Sequence, residues 1–409
     1  MRLLTPTSRV RFVGGNTHSR SSVRLPAKFK LPAGGRAEDA SELSFEWQLS
    51  IGSDLYSLNW AFQASFTIIS KSNMYFIRLF LLGTGLGVSA LSCVKSPSRT
   101  KPPPGAIVVD ASKQYPDSYP TVGQAIAAIE NTTAEHVVFL MPGVYSEQVY
   151  VPFLAGPLKL QGYTKDSRSY VDNEVTITGN LSRQTPGLTN NDQTSTVRLW
   201  TSNIKVYNLN IANTFGQATT GGQALALSAQ KTNQGFYGCS FTGYQDTIYA
   251  NEGRQIYANS YINGAVDFVF GLRASAWFEN CNIETIGPGF ITANGRESEQ
   301  NKSFYVFNHA NITGTSGEGS TVLGRPWRPF SRVVFQNSWL GNVVKAAGWS
   351  AWDATQTVAN IFYREYGNTG PGAVGPRVEF AGSLDAPVQP VTILGDGFET
   401  EWWVDTTYL

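Results

Sequence analysis

The sequence predicts an all-β fold, a parallel β-helix in which short strands stack coil upon coil. Three observations carry that expectation. From residue 200 onward a six-residue pattern recurs: apolar, two residues, small or polar, any, apolar. It reads VYNLNI (206–211), FYGCSF (236–241), YANSYI (257–262), FENCNI (278–283), FNHANI (307–312) and FQNSWL (335–340), with starts 30, 21, 21, 29 and 28 residues apart. A period near 21 is too short for a helical-pair repeat and suits one solenoid coil, the longer intervals being loops inserted on one side. Second, Cys239, Ser260, Cys281, Ala310 and Ser338 fall at one position of successive copies, and a narrow interior needs such a column of small residues. Third, 40 glycines against only 15% charged residues favour strands joined by turns over helices.

Taken in chain order, residues 1–73 hold basic clusters and scattered Ser, Gly and Pro without a sustained hydrophobic period, and read as a gene-model extension or a disordered segment. Met74-Tyr-Phe-Ile-Arg78 followed by the apolar run Leu79–Val88 and then Ser89-Ala90 has the form of a secretory signal peptide over 74–90. The run is short and glycine-interrupted for a bilayer span, so the mature chain is expected to be secreted, extracellular and free of the membrane. Residues 91–104, with KSPSRTKPPPG at 95–105, form a linker into a single domain, 105–409. Its first elements are a strand in GAIVVDAS (105–112), an amphipathic helix in YPTVGQAIAAI (119–129) able to cap the open end, and strands in HVVFLMPGVY (136–145), PLKLQGY (157–163) and VTITG (175–179). Four N-x-[ST] sites (Asn131, Asn180, Asn301, Asn311) fit secretion.

Charge excludes one class of partner. Residues 1–104 carry 13 Lys+Arg against 5 Asp+Glu, and 105–409 carry 18 against 25, so the folded part is acidic and nucleic acid is not its partner. Rungs stacked roughly 4.8 Å apart put Cys239 and Cys281, two rungs apart, beyond the roughly 7 Å reach of a disulfide, and both are expected as buried free thiols. His18, His136 and His309 show no pairing with Ser and no metal-ligand spacing, which argues against a Ser-His-Asp hydrolase and a zinc enzyme.

Asp246 lies ten residues after Phe236 and Asp267 ten after Tyr257, so the two are one repeat apart and belong on adjacent rungs. Carboxyls roughly 5 Å apart cannot both ionise freely, and one acid beside one carboxylate serves acyl transfer or glycoside hydrolysis. Two solvated turn aspartates are the alternative. Gln245 precedes Asp246, and Gln223 stands 22 residues earlier, one rung back; their amides could form an oxyanion hole or simply a stabilising ladder. Arg325 in LGRPW could pair with Asp267 or form a surface ion pair.

The stretches GVYSE (143–147), QALAL (223–227), GYQDTIYA (243–250), DFVFG (267–271) and LGRPW (323–327) resemble, in order, those of the pectin methylesterases (pectinesterases), over essentially all of 105–409. The departures, Leu225, Ile248 and Val269, exchange one aliphatic residue for another. The resemblance implies a right-handed, single-stranded parallel β-helix and cofactor-free, metal-free hydrolysis of galacturonate methyl esters in methylated homogalacturonan by a monomer. Position by position it implies Asp267 as nucleophile, Asp246 as general acid then base, Gln223 and Gln245 as oxyanion-hole amides, and Arg325 as partner of the nucleophile. Trp327, then Tyr249, Phe270 and Trp352, are the aromatic candidates for stacking on sugar rings, with core packing as the alternative for the last three. Glu147 reads as structural or as groove edge. Residues 1–104 contain Cys93 as their one cysteine and so lack the four-cysteine pro-region of many plant members, which favours a fungal-type enzyme. Two other functions compete: a pectate lyase or polygalacturonase on the same fold, which would want a calcium-binding carboxylate cluster, and a catalytically dead polysaccharide-binding solenoid.

Overall fold

The computed structural model describes residues 97–409 and, nearer the amino terminus, the backbone of four strands. Those strands, Ala27–Lys28, Leu43–Ile51, Trp60–Ile69 and Met74–Leu81, pair antiparallel in sequence order within a unit of their own, Met1–Val94. Leu43, Phe45, Trp47, Leu49 and Ile51 alternate with polar residues, a two-residue period that differs from the aperiodic segment expected there. Apart from the strand Met74–Leu81, the leader expected over 74–90 lies outside the described residues, as does Cys93.

The second unit, Lys95–Leu409, is a parallel β-helix of three sheets. Sheet A holds eight strands from Gly143–Ser146 to Trp339–Leu340, sheet B seven from Val149–Val151 to Thr321–Gly324, and sheet C eleven from Ile107–Val109 to Ala381–Ser383. Each coil runs A, B, C, and every strand pairs parallel with its counterpart one coil away. The six-residue repeat sets this register: Val206, Phe236, Tyr257, Phe278, Phe307 and Phe335 are successive partners in sheet C. Their rings point inward and stack, with centroids 4.7, 4.6, 4.2 and 4.4 Å apart from Phe236 to Phe335. Each such pair contributes about 0.5–1.5 kcal/mol beyond its buried area, so the column is a continuous spine.

The chain leaves sheet C through a left-handed residue, Asn208, Gly238, Asn259, Asn280, His309 or Asn337, each with φ between 49° and 59°. Asn and Gly tolerate that region best, so most of these corners turn at modest cost. The small-residue column follows at once and is buried, with Ser260 and Ser338 accepting from the amides of Cys239 and Ala310. Cys239 and Cys281 are free buried thiols, as expected, and burial pushes both up to about 12.

At the amino-terminal end, Val122–Ala127 forms a one-and-a-half-turn helix with Val122, Ala125 and Ile126 buried against the first strands. Thr121 caps it, and Glu147 reaches over from sheet A to accept from the amides of Val122 and Gly123, both at 2.8 Å. The glutamate of GVYSE is therefore structural. HVVFLMPGVY yields two strands, His136–Leu140 in sheet C and Gly143–Ser146 in sheet A, because Met141-Pro142 turns the corner between them. At the other end the chain returns over the outer face of sheet C, where Trp403, Val404 and Tyr408 bury against Tyr207 and Tyr237. Among the described residues, no helix is long and apolar enough to cross a membrane.

Candidate active site

The connections from sheet A to sheet B carry the polar residues singled out by spacing. Gln223, Gln245 and Val266 are bridged in parallel on three successive coils. Strand partners Leu227, Ile248 and Val269 follow in the same register, so Asp246 and Asp267 occupy equivalent places on adjacent coils. Both adopt the left-handed conformation, with φ of 64° and 51°. Asp is among the few residues that do so at modest cost, roughly 1 kcal/mol, and the turn aims both carboxyls outward just before the strand begins. The motif glycines have a steric cause. A Cβ on Gly271 of DFVFG would lie 1.9 Å from the Ala250 carbonyl oxygen, and one on Gly324 of LGRPW 2.0 Å from Thr292 Oγ1.

Arg325 leaves the end of the strand Thr321–Gly324 and grips Asp267 with both ends of its fork, Nε to Oδ1 at 2.9 Å and Nη2 to Oδ2 at 2.7 Å. Its guanidinium lies between two rings, 3.9 Å from the Phe290 centroid and 4.1 Å from that of Trp352. Planar stacking and a bidentate fork are arginine properties that lysine lacks. The loop carrying Trp352 is tied to LGRPW through Gln356, which accepts from the Trp352 amide and donates to the Pro326 carbonyl.

The two aspartates differ in surroundings. Burial pushes the Asp246 carboxyl well above the usual carboxylate range, the neighbouring charge of Asp267 adds to this, and Arg325 opposes it only from a distance. Burial also raises Asp267, but the hydrogen bonds and charge of Arg325 hold it back. Asp246 therefore keeps its proton to higher pH than Asp267, which is the first of the pair to ionise.

These groups line a cleft of about 250 Å³ with Asn191, Gln223, Gln245, Phe270, Ala293, Trp327 and Trp352. Eight of the nine residues named from sequence thus meet in one place. The ninth, Tyr249, stacks face to face behind Phe270 at 4.4 Å and 3°, outside the lining. Phe270 is only 2% exposed and backs Trp327, whose ring lies 6.0 Å away and tilted. Asn191, Phe290 and Ala293 were not found from sequence. Asn191 sits in an irregular loop and Phe290 at the start of a strand, and neither occupies a repeat position that would have marked it. A second hollow of about 370 Å³ lies beside the first coils, but its one carboxylate, Glu147, is committed to the helix cap. Among the described residues, no group of three His, Cys, Asp or Glu could hold a metal ion.

A β-helix bearing a guanidinium-clamped carboxylate, a second carboxyl that keeps its proton to higher pH and two side-chain amides has the makings of a carboxylic ester hydrolase. Comparison with known proteins gives the family. The pectinesterase profile matches residues 107–389. A pectinesterase of Aspergillus aculeatus is 45% identical over 341 residues, 81% of this chain and 99% of its own length. One of Aspergillus niger is 43% identical over 321 residues, 76% and 94% of the two chains. The solved pectin methylesterase from Aspergillus niger, in deglycosylated form, matches with a TM-score of 0.70 at 37% identity, over 76% of this chain and 100% of that one. That from carrot matches at 0.63 and 31%, over 71% and 91%. The chain belongs to the pectinesterase family, of the fungal type.

Proposed function

We propose that the protein is a secreted enzyme that hydrolyses the methyl esters of homogalacturonan, releasing methanol and leaving free galacturonate carboxylates, and so serves the modification and breakdown of pectin. The observation that carries this reading is the unequal pair, Asp267 clamped by Arg325 beside the buried Asp246. The ionised Asp267 attacks the C6 carbonyl carbon. The carbonyl oxygen gains the electron pair and is held by the side-chain amides of Gln223 and Gln245. As the tetrahedral adduct collapses, the bond to methoxide breaks and Asp246 supplies its proton, so methanol leaves and an acyl anhydride on Asp267 remains. Water then attacks the acyl carbon, the ionised Asp246 takes its proton, and Asp267 returns as carboxylate. The product leaves as the carboxylic acid and ionises by giving its proton to solvent, so the two carboxyls, the ester and water account for every bond made and broken.

Trp327 and Trp352, part-exposed at the rim, supply the faces on which sugar rings stack, with Phe270 and Tyr249 behind Trp327 fixing its tilt. Arg325 has a double role, since the same stack that orients it on Asp267 also fixes Trp352. The leader at 74–90, the linker 91–104 and a catalytic domain over 105–409 complete the reading, with the enzyme acting as a monomer outside the cell. The test is methanol release from highly methylated pectin, by the parent and by Asp267→Asn, which keeps the shape and the left-handed tolerance of the residue. The variant is expected to bind pectin and to release no methanol; near-parental release would refute the assignment, and binding without turnover by the parent would establish a mere polysaccharide-binding solenoid.

A further inference from the structure

One polar side chain in the cleft has no part in the steps above. Asn191 belongs to the loop between Val175–Gly179 and Val197–Leu199, two coils behind Asp246, and its Nδ2 donates to Asp246 Oδ2 at 3.1 Å. The amide is held from behind. The Asn191 carbonyl accepts from both the amide of Thr194, at 3.0 Å, and its hydroxyl, at 2.8 Å. Its neighbour Asp192 is buried and accepts from Arg198 at 3.1 and 2.6 Å, from the Trp200 indole at 3.2 Å and from the Ser228 hydroxyl at 2.8 Å. A loop anchored by four donors on one carboxylate presents the next side chain at a fixed point.

We propose that Asn191 is a positioning residue for the acid–base step, and that Asp192 acts through it. An amide N–H on Oδ2 makes that atom the acceptor of the carboxyl, so the exchangeable proton resides on Oδ1, the atom left free within the cleft. Oδ1 then both protonates the departing methoxide and takes the proton of the incoming water, without a rotation of the carboxyl between the two half-reactions. The same N–H stabilises the ionised form that acts as base, so it moderates the effect of burial. The other groups facing Asp246 are Asp267 on the next coil, Arg325 beyond it, the Tyr249 phenol and the Asp192–Arg198 pair behind the loop. Of these groups, Asn191 is the side chain whose N–H is hydrogen-bonded to the Asp246 carboxyl.

The inference rests on the reading of Asp246 as acid and base, and the experiment separates the two. Asn191→Ala, Asn191→Asp, Asp192→Asn and the double variant Asn191→Ala/Asp192→Asn are made in the full chain, and kcat and KM for methylated pectin are measured from acid to alkaline pH. Loss of the donor in Asn191→Ala lowers kcat about 10-fold with KM within about 2-fold, the size expected for one charge-assisted hydrogen bond. Asp246 must be protonated to expel methanol, so the alkaline limb of kcat/KM moves to higher pH in Asn191→Ala. It moves further in Asn191→Asp, which adds a like charge. Asp192→Asn frees the loop and lowers kcat in the same way, and in this loss of rate the double variant behaves as Asn191→Ala alone, since residues acting through one contact are not additive. A pH profile superimposable on the parent's, a loss confined to KM, or additive effects of the two single variants would each overturn the proposal. Asp246→Asn, measured alongside, tells the two failures apart: if it retains parental activity the acid–base assignment itself falls, and if it is inactive while Asn191→Ala is unchanged, only the role of Asn191 falls.

Discussion

Replacing Arg325 tests the asymmetry on which the mechanism depends. The guanidinium makes two charge-assisted hydrogen bonds to Asp267, at 2.9 and 2.7 Å, and the pair is largely buried, with side chains 20% and 7% exposed. Each such bond contributes about 1.5–3 kcal/mol, and deleting one partner of a buried pair costs about 3–5 kcal/mol because the remaining charge is uncompensated. Arg325→Ala leaves Asp267 in that position. At about 1.4 kcal/mol per decade, a loss of 3–4 kcal/mol corresponds to a fall of roughly 10²–10³ in kcat/KM at neutral pH. The pH dependence gives a second handle. Attack needs Asp267 ionised, and without Arg325 the burial that raises its pKa is unopposed, so the acid limb of kcat/KM moves to higher pH. Arg325→Lys keeps the charge but loses the fork and the sandwich between Phe290 and Trp352, and a drop of about 10–100-fold is expected. Rates are followed by methanol release from methylated pectin at subsaturating substrate. An Arg325→Ala enzyme within about 3-fold of the parent, with its acid limb in place, would refute the claim that this arginine sets the ionisation of Asp267.

Two further outcomes follow from the fold. Asp246 carries a folded-state pKa well above the roughly 3.9 of an unfolded aspartate. Below the unfolded value both states hold the proton; as pH rises past it the unfolded chain releases its proton while the folded chain keeps it, so this group withdraws stability with rising pH. Asp246→Asn is therefore expected to melt with the parent near pH 3.5 and above it at pH 7, and thermal unfolding that shows equal midpoints at both pH values would contradict the shift. Glu147→Ala removes two bonds to the helix N-terminus and is expected to cost about 1–2 kcal/mol, lowering the melting temperature by roughly 2–6 °C while kcat stays at the parental value. A fall in kcat without a fall in melting temperature would return Glu147 to the groove.

The repeat made much of this legible beforehand. Because a coil of about 21 residues brings position i beside i+21, the spacing of Phe236, Tyr257 and Phe278 fixed the register of sheet C, and the same spacing placed Asp246 beside Asp267. Arg325 is 58 residues from Asp267, a distance that periodicity does not relate; residue chemistry left their pairing open beside a surface ion pair, and the family resemblance implied the pairing. The strands within 136–145 were read as one because a corner at Met141-Pro142 and a strand interrupted by it look alike in one dimension. The left-handed geometry of both aspartates went unread, since Asp is ordinary in turns of every kind.

What the sequence determined by itself is therefore whatever repeats: the β-helix, the small-residue column, the two free thiols and the partnership of the aspartates across adjacent coils. Tertiary structure alone decided what comes from outside the period. Asn191 reaches Asp246 from a loop two coils away, Phe290 from the start of a strand and Trp352 from a loop close on Arg325, and Tyr249 proves to be a backing ring behind Phe270. The physical reason is that backbone hydrogen bonding between stacked strands enforces a regular register, whereas an inserted loop is placed by its own side-chain anchors, such as the four donors on Asp192, whose positions no spacing records.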